Sequence, residues 1–373
     1  MKPFVKWPGG KHEEYKIIKK YFPKKIDKYV EPFIGGGAVY LAIAECKTYY
    51  INDKSIELIN LYKMIKEQNK FFFNKLDDIF YNWRLIEKIV DKHNIELIDK
   101  YLEYSNGTIS EVNWSDFIVE FILKNKEEFN GILESTFNID IKHFIDVLNK
   151  NFLQKTKRMK MLEIKNGELS REDLLKNIET AFKSSYYKHF RHLYNEALSY
   201  KISEEFRNAI FYFIREFCYS SMFRYNKSGK FNVPYGGISY NRKNVESKID
   251  DMKNKNLISR LNNTVIMAED FQVFLEKIKL TEKDFIFLDP PYDTEFSSYA
   301  NSEFDRNDQK RLVKYLKETK AKFMLVIKNT EYISSLYQKE NFYIKVFNKK
   351  YLVSFQNRNN KEVEHLIITN YEI

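Results

Sequence analysis

Residues 284–292 read DFIFLDPPY. The four apolar residues Phe285 to Leu288 fit a strand buried on both faces, which points to a sheet with helices packed on either side. Asp289 then falls at the strand's carboxyl end, where open α/β sheets hold their ligands. Pro291 biases Pro290 towards an extended backbone, and each proline fixes its own φ and lacks an N–H. The turn therefore presents acceptors without competing donors. An aromatic amine donates two hydrogens, which the Asp289 carboxylate and the Pro290 carbonyl can accept, while Tyr292 can stack on the ring. The plain alternative is an ordinary Asp-Pro-Pro turn; the preceding strand and the aromatic in fourth place favour chemistry.

The front of the chain reads as a βαβ unit. Ile26, Tyr29 and Val30 predict a short strand, the glycines at 35–37 a turn, and Val39, Leu41, Ala42 and Ile43 a buried helix. Tyr49 to Ile51 then predict a second strand ending at Asp53. Such a glycine turn lets a ligand approach backbone N–H groups. It departs from the dinucleotide pattern GxGxxG, whose third glycine would fall at Tyr40. Asp53 can accept from ribose hydroxyls or simply cap a turn. Ahead of this unit, KWPGGK (6–11) places a tryptophan between lysines, unusual without a ligand although a plain loop explains Pro-Gly-Gly, and 12–21 has a helical pattern.

From about 55 to 218 the sequence is mostly amphipathic helix, with Asn-Gly breaks expected at 106, 130 and 166. Ser170 with Asp173 predicts a helix cap, backed by Leu174, Leu175, Ile178 and Phe182. A solvated helix face explains the basic run KTKRMK (155–160) at least as well as a DNA contact does. FRYNKSGKFNVPYGG (223–237) reads as a β-hairpin, with Asn226 to Gly229 turning between Phe223–Tyr225 and Lys230–Val233. Its Arg224, Lys227 and Lys230 supply charge, and Tyr219, Tyr225 and Phe231 interleave aromatic surface, a combination suited to nucleic acid. Strand signals return at 263–271 and 322–329, a helix capped by Asp305 or Asn307 is expected over 307–319, and the chain ends in an antiparallel hairpin around NRNN. The whole predicts an α/β sheet split by a long helical insertion.

Sixty-two Lys and Arg against 52 Asp and Glu leave a net charge of +10. Excess positive charge favours a polyanionic partner, although an AT-rich genome also yields lysine-rich chains. No apolar run approaches the ~18 residues of a membrane span, and the amino terminus lacks a secretory pattern. Cys46 and Cys218 read as reduced core thiols, so a cytoplasmic protein without membrane contact is expected. His189 and His192 have helical spacing but no cysteine or HExxH partner, so no metal site is expected.

In order, KWPGGK, EPFIGGG, NDKS, FRYNKSGKFNVPYG and DPPY closely resemble the Dam-type (D12 class, alpha group) adenine-specific DNA methyltransferases of bacterial and phage modification systems. The resemblance covers about 1–65 and 205–373. It implies a Rossmann-like class I S-adenosylmethionine-dependent sheet with a C-terminal antiparallel hairpin, and a mostly helical target-recognition domain carrying a β-hairpin. The catalytic domain is expected at 1–60 and 262–373, the insertion and recognition domain at 61–261. The implied reaction is site-specific methyl transfer from S-adenosyl-L-methionine to N6 of an adenine flipped out of duplex DNA, within a restriction-modification system. Asp289, Pro290, Pro291 and Tyr292 correspond to the catalytic loop. Cofactor contacts are implied at Trp7, Gly9, Gly10, Lys11, Phe33, Gly35, Gly37, Asp53, Asp270 and Asp289. DNA contacts are implied at Lys6, Tyr219, Arg224, Asn226, Lys227 and Lys230, with Tyr219 matching an intercalating aromatic. Double-stranded DNA is the expected partner, alongside a cognate restriction endonuclease acting separately. Residues 66–204 match no motif, so the resemblance carries no target sequence. RNA methylation, a Rossmann-like oxidoreductase and a catalytically silent DNA-binding regulator are the competing readings; the missing GxGxxG opposes the oxidoreductase and an intact DPPY the regulator.

Overall fold

The apolar runs form one sheet: β1 Lys28–Glu31, β2 Thr48–Asn52, β3 Thr264–Met267, β4 Phe285–Leu288, β5 Lys322–Lys328, β6 Tyr343–Lys350 and β7 Glu362–Thr369. The computed structural model describes residues 1–11, 14–134, 139–222, 224–291, 304–350 and 362–373. By internal packing it divides into two units: Met1–Gln68 with Phe223–Tyr225 and Glu246–Ile373, and Asn69–Met222 with Asn226–Val245.

In the first unit the strand order is β3-β2-β1-β4-β5-β7-β6. The pairs from β3 through β5 are parallel, and β7 runs antiparallel to both β5 and β6. This α/β sheet with antiparallel strands at its carboxyl end is consistent with the expected class I methyltransferase fold. β4 is buried at every position, as its unbroken apolar run requires. The chain moves outward from β1 to β2 and β3 on one side and from β4 to β5 on the other. The carboxyl ends of β1 and β4 therefore flank a topological switch point, the place where such sheets open a ligand crevice.

Local chemistry fixes the helices between strands. Ser55 caps Ile56–Lys66 by accepting from the Leu58 N–H, and Asp270 caps Phe271–Glu276 through Gln272. Asp305, not Asn307, caps Arg306–Glu318 in a reciprocal box with Asp308. Of the helix expected over 12–21, residues 12 and 13 lie outside the described residues, and the rest is one turn, Tyr15–Ile18, followed by a 3₁₀ turn at Lys19–Tyr21. Val30, Phe274, Ile286, Leu288, Leu312, Phe323, Leu325 and Ile368 are among the side chains that join sheet and helices in one core.

The second unit is helical. Its long members are Lys70–Lys92, Ile141–Asn166 and Arg171–Asn195, with Asn94–Ser105, Glu111–Lys124, Lys126–Leu133 and Glu204–Phe217 around them. Trp83 is a hub, with ring centroids 4.5 Å from Phe217, 5.3 Å from Phe213 and 5.7 Å from Tyr235. The fully buried Lys183 ammonium lies 4.9 Å from the Trp83 ring, 3.0 Å from Glu179 and 3.3 Å from Glu87, so the buried charge is paired as its desolvation demands. Ser170 caps its helix through the Asp173 N–H as the sequence predicts.

One expectation here is corrected and a second is met in part. Asn106-Gly107 and Asn166-Gly167 do end helices, but Asn130-Gly131 lies inside Lys126–Leu133. A side chain at Gly131 would meet the Asn82 Oδ1 at 2.4 Å, and Asn82 donates to the Gly131 carbonyl at 3.2 Å. The glycine serves helix packing there, not a break. Second, of the hairpin expected over 223–237 the turn forms, with the Asn226 N–H donating to the Lys230 carbonyl at 2.9 Å, but beyond it the described residues make single bridges, such as Tyr235 with Cys218, and no longer strand, while Phe223 lies outside the described residues. Asn226 builds a local turn, its Oδ1 accepting from the Ser228 and Lys230 N–H groups at 3.0 and 2.9 Å. The following residues bond to helix side chains: Phe231 exchanges two hydrogen bonds with Asn195, and the Val233 carbonyl accepts from Tyr187 and Arg191. Those side chains satisfy the backbone groups of Phe231 and Val233 beyond the turn.

Among the described residues no helix is long and apolar enough to cross a membrane.

Candidate functional site

The carboxyl ends of β1 and β4 gather the predicted site residues of the first unit. Lys11 is almost fully buried, and its ammonium donates to the Asp289 Oδ1 and to the Gly9 carbonyl at 3.3 Å. A turn closed by Gly10 N–H to the Trp7 carbonyl, 3.3 Å, links Lys11 to Trp7. Trp7 packs against the glycine turn after β1: a Cβ at Gly35 would meet the indole Cδ1 at 2.8 Å. The Gly35 N–H donates to the Asp53 Oδ2 at 3.0 Å, and the Ser55 N–H to the Asp53 Oδ1 at 3.0 Å. Burial raises the Asp53 carboxyl, while the N–H groups of Ser55, Gly35 and Lys54 lower it. The turn needs glycine at Gly37 for two reasons: φ is +70°, and a Cβ would lie 2.4 Å from the Tyr62 hydroxyl. That hydroxyl donates to the Gly35 carbonyl at 3.1 Å, so the bend is held from behind.

Phe33 packs on Phe271 and Phe304 with centroids 5.5 and 5.4 Å away. Next to Phe271, Asp270 gives both oxygens to the Arg311 guanidinium, at 3.0 and 2.8 Å, and Arg311 also lies over the Phe271 ring. The Arg311 hydrogen bonds hold the Asp270 carboxyl below the usual range. Pro290 is buried and Pro291 exposed, and Gln309 donates to the Pro291 carbonyl at 3.4 Å. Tyr292 lies outside the described residues. Gly9 has φ +78° with open space about it, and Lys6 is exposed.

The implied DNA residues behave differently from one another. In the second unit Tyr219 is 42% exposed, and it precedes two serines at left-handed φ, Ser220 at +51° and Ser221 at +52°. Such backbone in non-glycine residues costs roughly 1–2 kcal/mol each and is concentrated at functional segments. Lys227 is exposed, whereas Lys230 pairs with Glu196 and the Asn226 side-chain carbonyl is committed to its own turn. Arg224, in the short span assigned to the first unit, is exposed. Among the described residues no group of three or more His, Cys, Asp or Glu is arranged to hold a metal ion. Both cysteines are buried, which pushes each thiol up to about 11.

A profile of the D12 class N6 adenine-specific DNA methyltransferases matches residues 7–156 and 139–353. The chain belongs to this family. It is an adenine-specific DNA methyltransferase. It is similar along its full length to two curated proteins. One is the Type II methyltransferase M.CviBI of Paramecium bursaria Chlorella virus NC1A, 26% identical and covered over 100% of each chain. The other is the Type II methyltransferase M.MjaIII of Methanocaldococcus jannaschii, 28% identical over 100% of this chain and 99% of that one. The DNA adenine methylase of Haemophilus influenzae is 36% identical over 80 residues, 21% of this chain and 28% of its own.

The fold also brings beside these groups residues that the sequence did not single out. Glu31, at the end of β1, is buried and accepts from the Tyr29 hydroxyl at 2.6 Å. Burial pushes its carboxyl well up; the Tyr29 bond opposes this, and the nearby Asp289 charge adds to it. Asn52 ties strand ends together, donating to the carbonyls of Pro32 and Glu269 and accepting from the Glu269 N–H. Its place in the quoted NDKS was the available signal. Arg311 had none: its partner Asp270 is 41 positions away.

Proposed function

We propose that this methyltransferase transfers a methyl group from S-adenosyl-L-methionine to N6 of an adenine extruded from duplex DNA, at one recurring sequence, as the modification half of a Type II restriction-modification system. The observation that carries the reading is the Lys11–Asp289 pair at the end of β4, joined through the Lys11 loop to the glycine turn after β1. The residues fit the methyl donor chemically. Asp53, Asp270 and Asp289 offer carboxylates to a ligand that carries ammonium, hydroxyl and aminopurine donors, and the Gly35–Gly37 bend offers backbone free of side chains. Trp7, Gly9, Gly10, Lys11, Phe33, Gly35, Gly37, Asp53, Asp270 and Asp289 would hold it. Bound there, it supplies a sulfonium methyl that is already activated.

The chain's own work is then orientation and electrostatics. Asp289 and the Pro290 carbonyl accept the two hydrogens of the adenine amine, which aims the nitrogen lone pair, and Tyr292 stacks on the base. Lys11 fixes the Asp289 carboxylate through Oδ1. As N6 takes the methyl, its displaced proton passes to Asp289. Extruding a paired adenine costs a few kcal/mol, which Tyr292 stacking and contacts from Lys6, Tyr219, Arg224, Asn226, Lys227 and Lys230 offset. In this reading 1–60 and 262–373 form the catalytic domain and 61–261 the recognition domain, working in the cytoplasm on double-stranded DNA alongside a separate cognate endonuclease. The relatives' description as Type II methyltransferases supports that last assignment.

Expression in a host free of DNA methylation tests the reading. Sequencing of the host DNA is expected to find N6-methyladenine at one recurring duplex sequence. Methylation confined to RNA, or none above an empty-vector control, would contradict it.

A further inference from the structure

Helices Ile141–Asn166 and Arg171–Asn195 pack antiparallel, with Asn151 donating to the Ala181 carbonyl and to the Ser185 hydroxyl. Along this pair lie five cations: Lys150, Lys155 and Arg158 on the first helix, Lys188 and Arg191 on the second. The Lys188 ammonium crosses the pair to Asn151, which adjoins Lys150 and precedes Lys155 by one turn, while Arg191 and Arg158 each stand one turn further along their own helices. Burial lowers Lys188, and Arg191, Lys155 and Lys150 lower it further; Lys155 is lowered by burial and by Arg158. Among the described residues none of the five forms an ion pair with a carboxylate. Other cations of the same unit do: Lys157 with Glu111, Lys176 with Glu172, Lys183 with Glu179 and Lys230 with Glu196. Lys188 is held instead by the neutral Asn151 Oδ1 at 2.6 Å, and Arg191 by the Val233 carbonyl at 2.9 Å.

A cluster of like charges without internal neutralisation is complementary to an anion that supplies many charges at short spacing. Duplex DNA carries one phosphate charge per ~1.7 Å of axis. One end of the cluster is also tied to the segment that follows the turn at Asn226–Gly229. Arg191 and Tyr187 bind the Val233 carbonyl, and Asn195 binds Phe231 through both its N–H and its carbonyl. We propose that Lys150, Lys155, Arg158, Lys188 and Arg191 form a second, sequence-independent DNA contact that grips backbone phosphates beside the target site. This extends the reading that the enzyme acts on duplex DNA, and assigns a role to the insertion.

The test uses the full chain and the salt dependence of its affinity for a random-sequence duplex, read by fluorescence anisotropy. Each phosphate contact contributes ~0.9 to the slope of log affinity against log salt. Lys150→Gln/Arg158→Gln, which alters only exposed side chains, is expected to make the slope shallower by about 2, and adding Lys155→Gln by about 3. Lys155→Arg retains the charge and is expected to keep the wild-type slope. Methyl transfer at saturating DNA is expected to stay at the wild-type rate, and the melting temperature not to fall, since repulsion is removed. A folded double variant with the wild-type slope overturns the proposal. So does a variant that loses affinity only for vesicles of anionic lipid. A wild-type protein that binds no duplex DNA would instead sink the underlying reading.

Discussion

Asp270 holds its carboxylate in the fork of Arg311, with one oxygen also accepting the Gln272 N–H. An Arg–carboxylate fork fixes orientation as well as charge. Arg311 lowers the Asp270 carboxyl in the folded protein, so whatever depends on its ionised form persists as pH falls and is lost only below the ordinary carboxyl range. With Arg311→Met that loss moves to higher pH, because the largest cause of the lowering is removed. If Asp270 holds the cofactor, the variant should bind S-adenosylmethionine on the order of tenfold more weakly at neutral pH, matching the loss of a charge-assisted bond worth ~1.5–3 kcal/mol. Calorimetric affinities across the acid range check both. Equal affinities and equal pH profiles for variant and wild type would remove Arg311 from the site. Asp289 and the glycines at 35–37 were legible in the sequence because strand ends and steric demands are local. Arg311 was not, because only the fold brings Asp270 near it, and the burial that raises the Glu31 carboxyl is likewise a property of the packed sheet, although Glu31 itself stands in EPFIGGG.

At the scale of elements, the pair of long insertion helices meets through histidines. The His143 Nδ1 lies 3.1 Å from the His189 Nδ1, and the His143 ring stacks on His192 at 3.8 Å between centroids. His192 reaches the Tyr200 hydroxyl, which donates to Asp140. Burial, then the charges of His143 and His192, push His189 down to about 3; Asp140 opposes them. A histidine lowered on folding leaves stability intact above its unfolded value of 6.5 and erodes it as pH falls towards 3. The urea midpoint is therefore expected to drop between pH 7 and pH 5, and to drop less in His189→Gln. An identical drop in that variant would clear His189 of the effect. The sequence reading of these elements succeeded where the signal was local, as in the Ser170 cap and the β4 run. It failed at Asn130-Gly131, where Asn82 packs on the glycine from outside the segment, and along 223–237 it placed the turn but not the path beyond it, where Asn195, Tyr187 and Arg191 bind the backbone.

For the whole molecule, the sheet keeps β2 and β3 in register, Tyr49 opposite Thr264, although the chain leaves the first unit after Gln68 and rejoins it for good at Glu246. Asn52 ties the carboxyl ends of β1, β2 and β3 to one another, and the β2–β3 ladder itself sets the register whatever the length of the connection between them. The order of the motifs, with the glycine turn first and the Asp-Pro-Pro loop last, brings Asp289 beside Lys11 across 278 positions. The measurement that bears most directly on this account is transfer of radiolabelled methyl groups to duplex DNA by Asp289→Asn, which keeps an oxygen for the Lys11 ammonium. Loss of a positioned proton acceptor predicts a rate lower by roughly 10³-fold, with a circular dichroism melt matching the wild type. A wild-type rate in that variant would contradict the account.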